Sequence, residues 1–248
     1  MGAIDAASTG LPDASAFPSW TFPLAWILLA TASACAAWVA IDVVRRPQPM
    51  AVMNVVWPIV MLFGSVVWLI FYLRTGRADR QGRPAPARSP RWISVAIETN
   101  HCGAGCALGD IAGESILIAF PALAAVFGAG WLSSAEPVPG WVLSTLLAFG
   151  FGILLQYFAI APMRDLTVRE GIREALKADA ASIAAWQVGM IGVMALVQLV
   201  WLPRWIGGPA SPVAPQFWVL MQFAMMAGYA CSYPVNWWLV RRGIKTPM

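Results

Sequence analysis

The sequence predicts an all-α, polytopic integral membrane protein: a bundle of about six transmembrane helices with one short amphipathic helix at the interface. Three observations predict it. Apolar residues make up 59% of the 248 positions and charged residues 11%, against roughly 45–50% and roughly 25% in soluble domains. The apolar residues gather into runs of about 20, the length that crosses a bilayer as a helix. Tryptophans stand near many run ends, at Trp92, Trp131, Trp141, Trp201, Trp218, Trp237 and Trp238, as aromatic belts do at headgroup level.

The elements follow in chain order. Residues 1–24 hold Asp5 and Asp13 and no Lys or Arg. They read as a flexible N-terminal segment, because a secretory signal needs a basic start. Residues 25–248 read as a single transmembrane domain. The first span is expected at 25–44 and the second at 51–73, where Pro58 frees the carbonyl of Asn54. Gly76, Gly82, Pro84, Pro86 and Pro90 make 74–91 a cytoplasmic linker. The stretch 92–131 would be about 60 Å long as one helix, twice the hydrocarbon thickness. Residues 92–100 are therefore expected at the interface and the third span at 101–127. The fourth, fifth and sixth spans fall at 141–162, 182–202 and 216–240. Thr167 with Glu170 forms a capping box, and Glu170–Arg173 and Glu174–Lys177 are i,i+3 pairs. They predict an amphipathic interfacial helix at about 166–180.

Charge sets the orientation. Arg74, Arg77, Arg80, Arg83, Arg88 and Arg91 share one loop. Arg164, Arg169, Arg173 and Lys177 fill another segment, and Arg241, Arg242 and Lys245 the tail. With six spans these three regions lie on one side, against Arg45, Arg46 and Arg204 on the other. The positive-inside rule then puts the protein in a bacterial cytoplasmic membrane with both termini in the cytoplasm. Because the basic residues punctuate apolar runs, the pI of about 9.1 does not indicate nucleic acid. No nucleotide loop or protease motif is present, so no nucleotide partner is expected. The chain reads as a binding or transport protein in lipid rather than an enzyme. Both lysines, Lys177 and Lys245, fall outside the apolar runs, which excludes a retinal-type Schiff base. The single His101 excludes a bis-His haem. Cys35, Cys102, Cys106 and Cys231 lie in or beside apolar runs, unlike a secreted disulfide scaffold.

The third span carries the chemistry. Glu98, Cys102, Cys106, Asp110 and Glu114 recur every four residues, one stripe on a helix. Beside them Gly105, Gly109 and Gly113 form a doubled small-residue motif, which lets a neighbouring helix approach closely or joins two copies of the chain. Carboxylates inside a membrane are costly and point to function. No Lys or Arg lies in any expected span to pair with them. That leaves protonation, bonding to polar side chains, or coordination to a cation. Further inward-facing polar groups extend the path: Asn54, Gln156, Gln187, Gln222 and Asn236. Cys102 and Cys106, four apart on a helix, have Cβ atoms about 5–6 Å apart, too far for an unstrained disulfide. Two thiolates beside His101 suit a soft metal such as Cu(I), with Met190, Met194 and Met225 as further thioether ligands.

At these residues the sequence resembles the bacterial membrane-protein family known as domain of unknown function 4396. The resemblance rests on His101-Cys-Gly-Ala-Gly-Cys-Ala-Leu-Gly-Asp110, Met53-Asn-Val-Val-Trp-Pro58, Gln156-Tyr-Phe-Ala-Ile-Ala-Pro-Met-Arg164 and Tyr233-Pro-Val-Asn-Trp-Trp-Leu-Val-Arg-Arg-Gly-Ile-Lys245. It implies a polytopic membrane protein and supplies no activity, substrate or cofactor.

Four functions fit the residues. The leading one is binding or transport of a soft metal ion through His101, Cys102 and Cys106, with Asp110 or Glu114 coupling protons. The second is thiol redox exchange at the two cysteines. The third is a permease for protons or a small solute along the carboxylates and amides, with packing cysteines. The fourth is a structural or assembly partner, dimeric through the glycine face.

Overall fold

Lipid offers no hydrogen-bond partners, so a backbone that enters a bilayer must bond within its own segment. The computed structural model describes residues 11–79, 90–164 and 167–245. The helices are α1 (Thr21–Arg45), α2 (Met53–Phe71), α3 (Arg91–Ala119), α4 (Val138–Arg164), α5 (Val168–Ala195), α6 (Leu202–Ile206) and α7 (Pro215–Arg241). Among the described residues no β-strand forms beyond an isolated bridge, Ala129 to Ser133. Positions 1–10 of the expected N-terminal segment and 80–89 of the expected linker lie outside the described residues.

Five segments are long and apolar enough to cross a membrane: Thr21–Arg45, Met53–Gly76, Arg91–Ala119, Val138–Ile160 and Val168–Ile206. The sixth long helix, α7, is less apolar because its inward stripe carries the buried Gln216, Ser232 and Asn236. Large apolar side chains face outward all over the bundle, among them Ile27, Val44, Val67, Val188 and Phe223. An apolar surface of this extent marks a membrane environment. Trp92, Trp131, Trp201 and Trp238 are exposed, as a belt requires, whereas Trp141 is buried.

The second segment does not run straight. Ser65 has φ 47° and ψ −135°, a conformation that breaks α2. Gly64 and Ser65 form the kind of small-residue pair at which helices kink. The chain then doubles back. The rings of Trp57 and Tyr72 lie 5.1 Å apart, where a straight helix would separate the residues by about 22 Å. Gly76 lies against the same Trp57 ring. The segment is a helical hairpin with arms 53–64 and 66–76, each about half the bilayer in length. Asp42 near the end of α1 ties it shut: Arg77 donates twice to Asp42, at 2.9 and 2.7 Å, and Tyr72 Oη donates at 2.9 Å.

This hairpin changes the topology expected from six crossings. Near its start, α7 meets the start of α1 through Gln216 Nε2, which donates to Thr21 Oγ1 at 3.1 Å. Ser211 N donates to Pro12 O at 2.9 Å. Pro12 and Lys245 therefore lie at opposite ends of the bundle, not on one side. Arg45 and Arg46 join the end that holds Arg77, Arg91 and Arg241. Among the described residues Arg204 is the one Arg or Lys at the other end. We call these the basic end and the far end.

Two other expectations change. Residues 92–100 are the first turns of α3, which continues without a break to Phe120 (φ −133°, ψ 70°). Pro121 ends it there, because the residue before a proline avoids helical backbone. The expected interfacial helix at 166–180 is the start of α5, capped by the Thr167–Glu170 box. It cannot peel away, since Ala175, Ala178, Asp179 and Ser182 are buried in the bundle.

The glycine stripe seats α3 on α4 of the same chain. A Cβ on Gly105 would fall 2.6 Å from Gly152 Cα, while Gly109 meets Ala148 and Gly113 meets Ser144. The face is filled internally and offers no surface to a second copy.

The hairpin makes a topology prediction. In a Cys231→Ala background, Pro49→Cys and Asp79→Cys should react with a membrane-impermeant thiol reagent from the same side of reconstituted vesicles. Ser19→Cys should react from the other side. Labelling of Pro49→Cys and Asp79→Cys from opposite sides would mean that α2 crosses.

Candidate functional site

Because α4, α5, α7 and the hairpin surround α3, its polar stripe is enclosed. Glu98, Asn100, His101, Cys102 and Cys106 are fully buried, and Asp110 and Glu114 nearly so. From Glu98 to Glu114 the stripe covers about 24 Å along the axis.

At the basic end a buried cation meets it. α7 ends in a Schellman turn: Ile244 N bonds Leu239 O, Gly243 N bonds Val240 O, and Gly243 takes φ +67°. The turn reverses the chain and sends Lys245 into the bundle, where it is 2% exposed. Its Nζ lies 2.6 Å from Asp179 Oδ1, 2.9 Å from Glu98 Oε1, 3.0 Å from Asn236 Oδ1 and 3.5 Å from Cys102 Sγ. Burial alone would favour the neutral amine, but Asp179 and the other acidic neighbours outweigh it and hold the lysine pKa well above its ordinary value. Cys102 Sγ donates to Asp179 Oδ1 at 2.9 Å, and His101 Nδ1 stands 4.0 Å from Asp179 Oδ2. Asn236 Nδ2 donates to Ser232 Oγ at 3.1 Å, and Ser182 Oγ donates to Asn236 Oδ1 at 2.9 Å. The cluster thus joins α3, α5, α7 and the turn after α7.

Along the stripe the surroundings change. Gln187 Nε2 donates to Cys106 Sγ at 3.8 Å, and Thr145 Oγ1 to Gln187 Oε1 at 3.5 Å. Asp110 borders a cavity of about 160 Å³ shared with Leu62, Phe63, Met225 and Gln222. The Ser144 hydroxyl of α4 is the hydrogen-bonding neighbour of the Asp110 carboxyl. Gln222 Nε2 donates to Leu62 O, near the hairpin tip, at 2.7 Å. Glu114 borders a larger cavity of about 420 Å³ at the far end, with Ser133, Ser134 and Glu136.

Not every expected site residue joins the stripe. Asn54 instead accepts from Gln48 N at 2.8 Å in the loop that starts α2. Gln156 is buried on α4 with no partner for Oε1 among the described residues. Met190 and Met194 pack in the apolar core of the bundle. Among the described residues no group of three or more His, Cys, Asp or Glu is arranged to hold a metal ion. His101, Cys102 and Cys106 do not converge, and Cys102 and Cys106 are free thiols.

The expectation that no lysine or arginine pairs with the buried acids is also corrected. Lys245 reaches Glu98 and Asp179 from outside the apolar runs, and Arg77 reaches Asp42. Asp179, Ser182 and Asp42 were not singled out from the sequence. Asp179 and Ser182 do carry a signal, being polar at i,i+3 on the face that becomes apolar further along α5.

The fold and this enclosed ionisable stripe define a polytopic membrane protein with a polar interior. Residues 91–245 match the family described as Domain of unknown function (DUF4396). That is more than half of the chain, and the chain belongs to this family. The match opens at the first residue of α3 and closes on Lys245, so it takes in the whole cluster, while the Met53–Pro58 motif lies outside it. No curated protein and no solved structure matches the chain.

Removing one partner of a buried ion pair strands the others. Lys245→Met should cost about 3–5 kcal/mol, read as a lower unfolding temperature in detergent. Adding Glu98→Gln and Asp179→Asn to that variant should recover most of the loss. A Lys245→Met protein as stable as wild type would contradict the pairing.

Proposed function

We propose that the chain is a permease that moves protons, alone or with a small solute, along the carboxylate stripe of α3. The observation that carries this reading is the stripe itself. Glu98, Asp110 and Glu114 are all buried on one helix, at levels spread over most of the bilayer. Intramembrane acids facing a bundle interior are the usual parts of proton relays. Polar groups stand between and beside them: Cys102, Cys106, Gln187 and Gln222. Glu114 has a cavity on the far side, and Asp110 has one at the hairpin tip. Non-helical backbone at membrane depth is tolerated where protein buries it or where it lines a cavity, and Leu62 and Phe63, just before the turn at Ser65, line the cavity beside Asp110.

The orientation belongs to the same proposal. The positive-inside rule assigns the basic end to the cytoplasm of a bacterium and the far end to its outside. Glu98 then exchanges with the cytoplasm and Glu114 with the outer medium.

The soft-metal reading draws less support. The ammonium of Lys245, 3.5 Å from Cys102 Sγ, puts a positive charge where Cu(I) would have to bind, and like charges this close repel. Redox exchange needs Cys102 and Cys106 to meet, and α3 is continuous between them. Residues four apart on a helix hold their Cβ atoms beyond disulfide range.

Proteoliposomes containing a pH-sensitive dye test the proposal. Wild-type protein should collapse an imposed pH gradient, and Asp110→Asn should reduce the rate to that of empty vesicles. Cys102→Ser/Cys106→Ser should retain most of the rate. A conducting Asp110→Asn protein, or a double-serine variant as inert as Asp110→Asn, would contradict this reading.

A further inference from the structure

Lys245 is held as a free ammonium ion would be held. Its three N–H donors face four acceptors from three helices: Asp179 Oδ1, Glu98 Oε1, Asn236 Oδ1 and Cys102 Sγ, at 2.6 to 3.5 Å. These are hydrogen-bond distances, longer than the roughly 2.0–2.6 Å at which oxygens hold Mg²⁺ or Ca²⁺. The acceptors are themselves fixed. Ser182 and Ser232 orient Asn236, and Cys102 donates to Asp179. The tether is the turn after α7. Lys245 N reaches Leu239 O at 3.4 Å, Ile244 N reaches the same oxygen at 3.1 Å, and Gly243 N reaches Val240 O at 3.2 Å. Ile244 is partly exposed.

We infer that Glu98, Asp179, Asn236 and Cys102 form a binding site for a small primary ammonium ion, with Lys245 as a tethered occupant. The class of ligand follows from the geometry. The head needs three N–H donors, which ammonium and primary alkylammonium ions supply and a quaternary ion does not. The lysine methylenes fill the approach from the basic end, so a short unbranched chain fits the same channel. The site stands at the basic-end mouth of the α3 stripe. On the permease reading, such an ion is the small solute, and withdrawal of Lys245 opens the mouth to it.

Chemical rescue tests the site without reference to flux. Lys245→Ala keeps the acceptors and removes the tethered ligand. In detergent, n-propylammonium chloride should raise its unfolding temperature in a saturating manner, as binding to the folded state requires. Potassium chloride and tetramethylammonium chloride at equal ionic strength should not. Wild type, whose site is filled, and Lys245→Met, whose side chain blocks the channel, should shift little. If Lys245→Ala does not purify folded by itself, purification in n-propylammonium should recover it and purification in potassium chloride should not. Equal shifts with all three salts, equal shifts in wild type, or no recovery in any of them would overturn the inference. Failed rescue with intact proton flux removes this site alone. Intact rescue with no flux removes the permease reading alone.

Discussion

A charge carried into a lipid-bounded bundle must bring its counter-charge with it, and the pairing of Lys245 with Asp179 and Glu98 is where this constraint acts. Each acid is buried on a different helix, and neither could stay ionised there alone except at several kcal/mol. The ammonium arrives from the turn after α7, so one side chain binds α3, α5 and α7 at their basic ends. Asn236, Ser182 and Ser232 then complete the hydrogen bonding that a buried polar group requires. The long start of α5 follows from this. The start of α5, capped by Thr167 and Glu170, carries Asp179 into the bundle.

A second paired charge shapes the other half of the bundle. Asp42 on α1 holds Arg77 and Tyr72, which closes the α2 hairpin from the same end. The hairpin tip meets α7 through Leu62 O and Gln222, and its return arm meets α3 where Trp68 Nε1 donates to Asn100 Oδ1 at 2.6 Å. A non-glycine residue at positive φ costs of order 1–3 kcal/mol and persists where its surroundings over-determine it. Here they do, because Phe63, Trp68 and Trp186 pack edge-on around the turn. The strained tip and the stripe of α3 therefore belong to one construction, with Asp110 at their shared cavity.

Much of this was legible in the sequence, and the parts that were not share a cause. Composition and run length give the all-α, membrane-type class, with five segments long and apolar enough to cross among the described residues, and the four-residue repeat from Glu98 to Glu114 names the stripe. The small residues Gly105, Gly109 and Gly113 announce close approach, and the structure supplies α4 of the same chain as the neighbour. The fold-back of α2 is hidden because hydropathy is blind to direction. Arms 53–64 and 66–76 are as apolar together as one crossing helix, and Gly64-Ser65 is a weak breaker by itself. Lys245 and Asp179 are hidden because they lie 66 positions apart. Each alone reads as a polar residue outside a span. Arg45 and Arg46 could have warned of the hairpin, since six crossings put this adjacent pair on the side with few positive charges.

The central claim is that the buried acids of α3 exchange protons, with Asp110 as the step between the two ends. Infrared difference spectroscopy of the reconstituted protein after a pH jump reads this from the carboxyl C=O band, without a transport assay. The wild-type spectrum should contain a buried carboxyl that changes protonation, and that feature should be absent from Asp110→Asn. A wild-type spectrum with no carboxyl change, or an identical change in Asp110→Asn, would mean that Asp110 is not a proton-exchanging group.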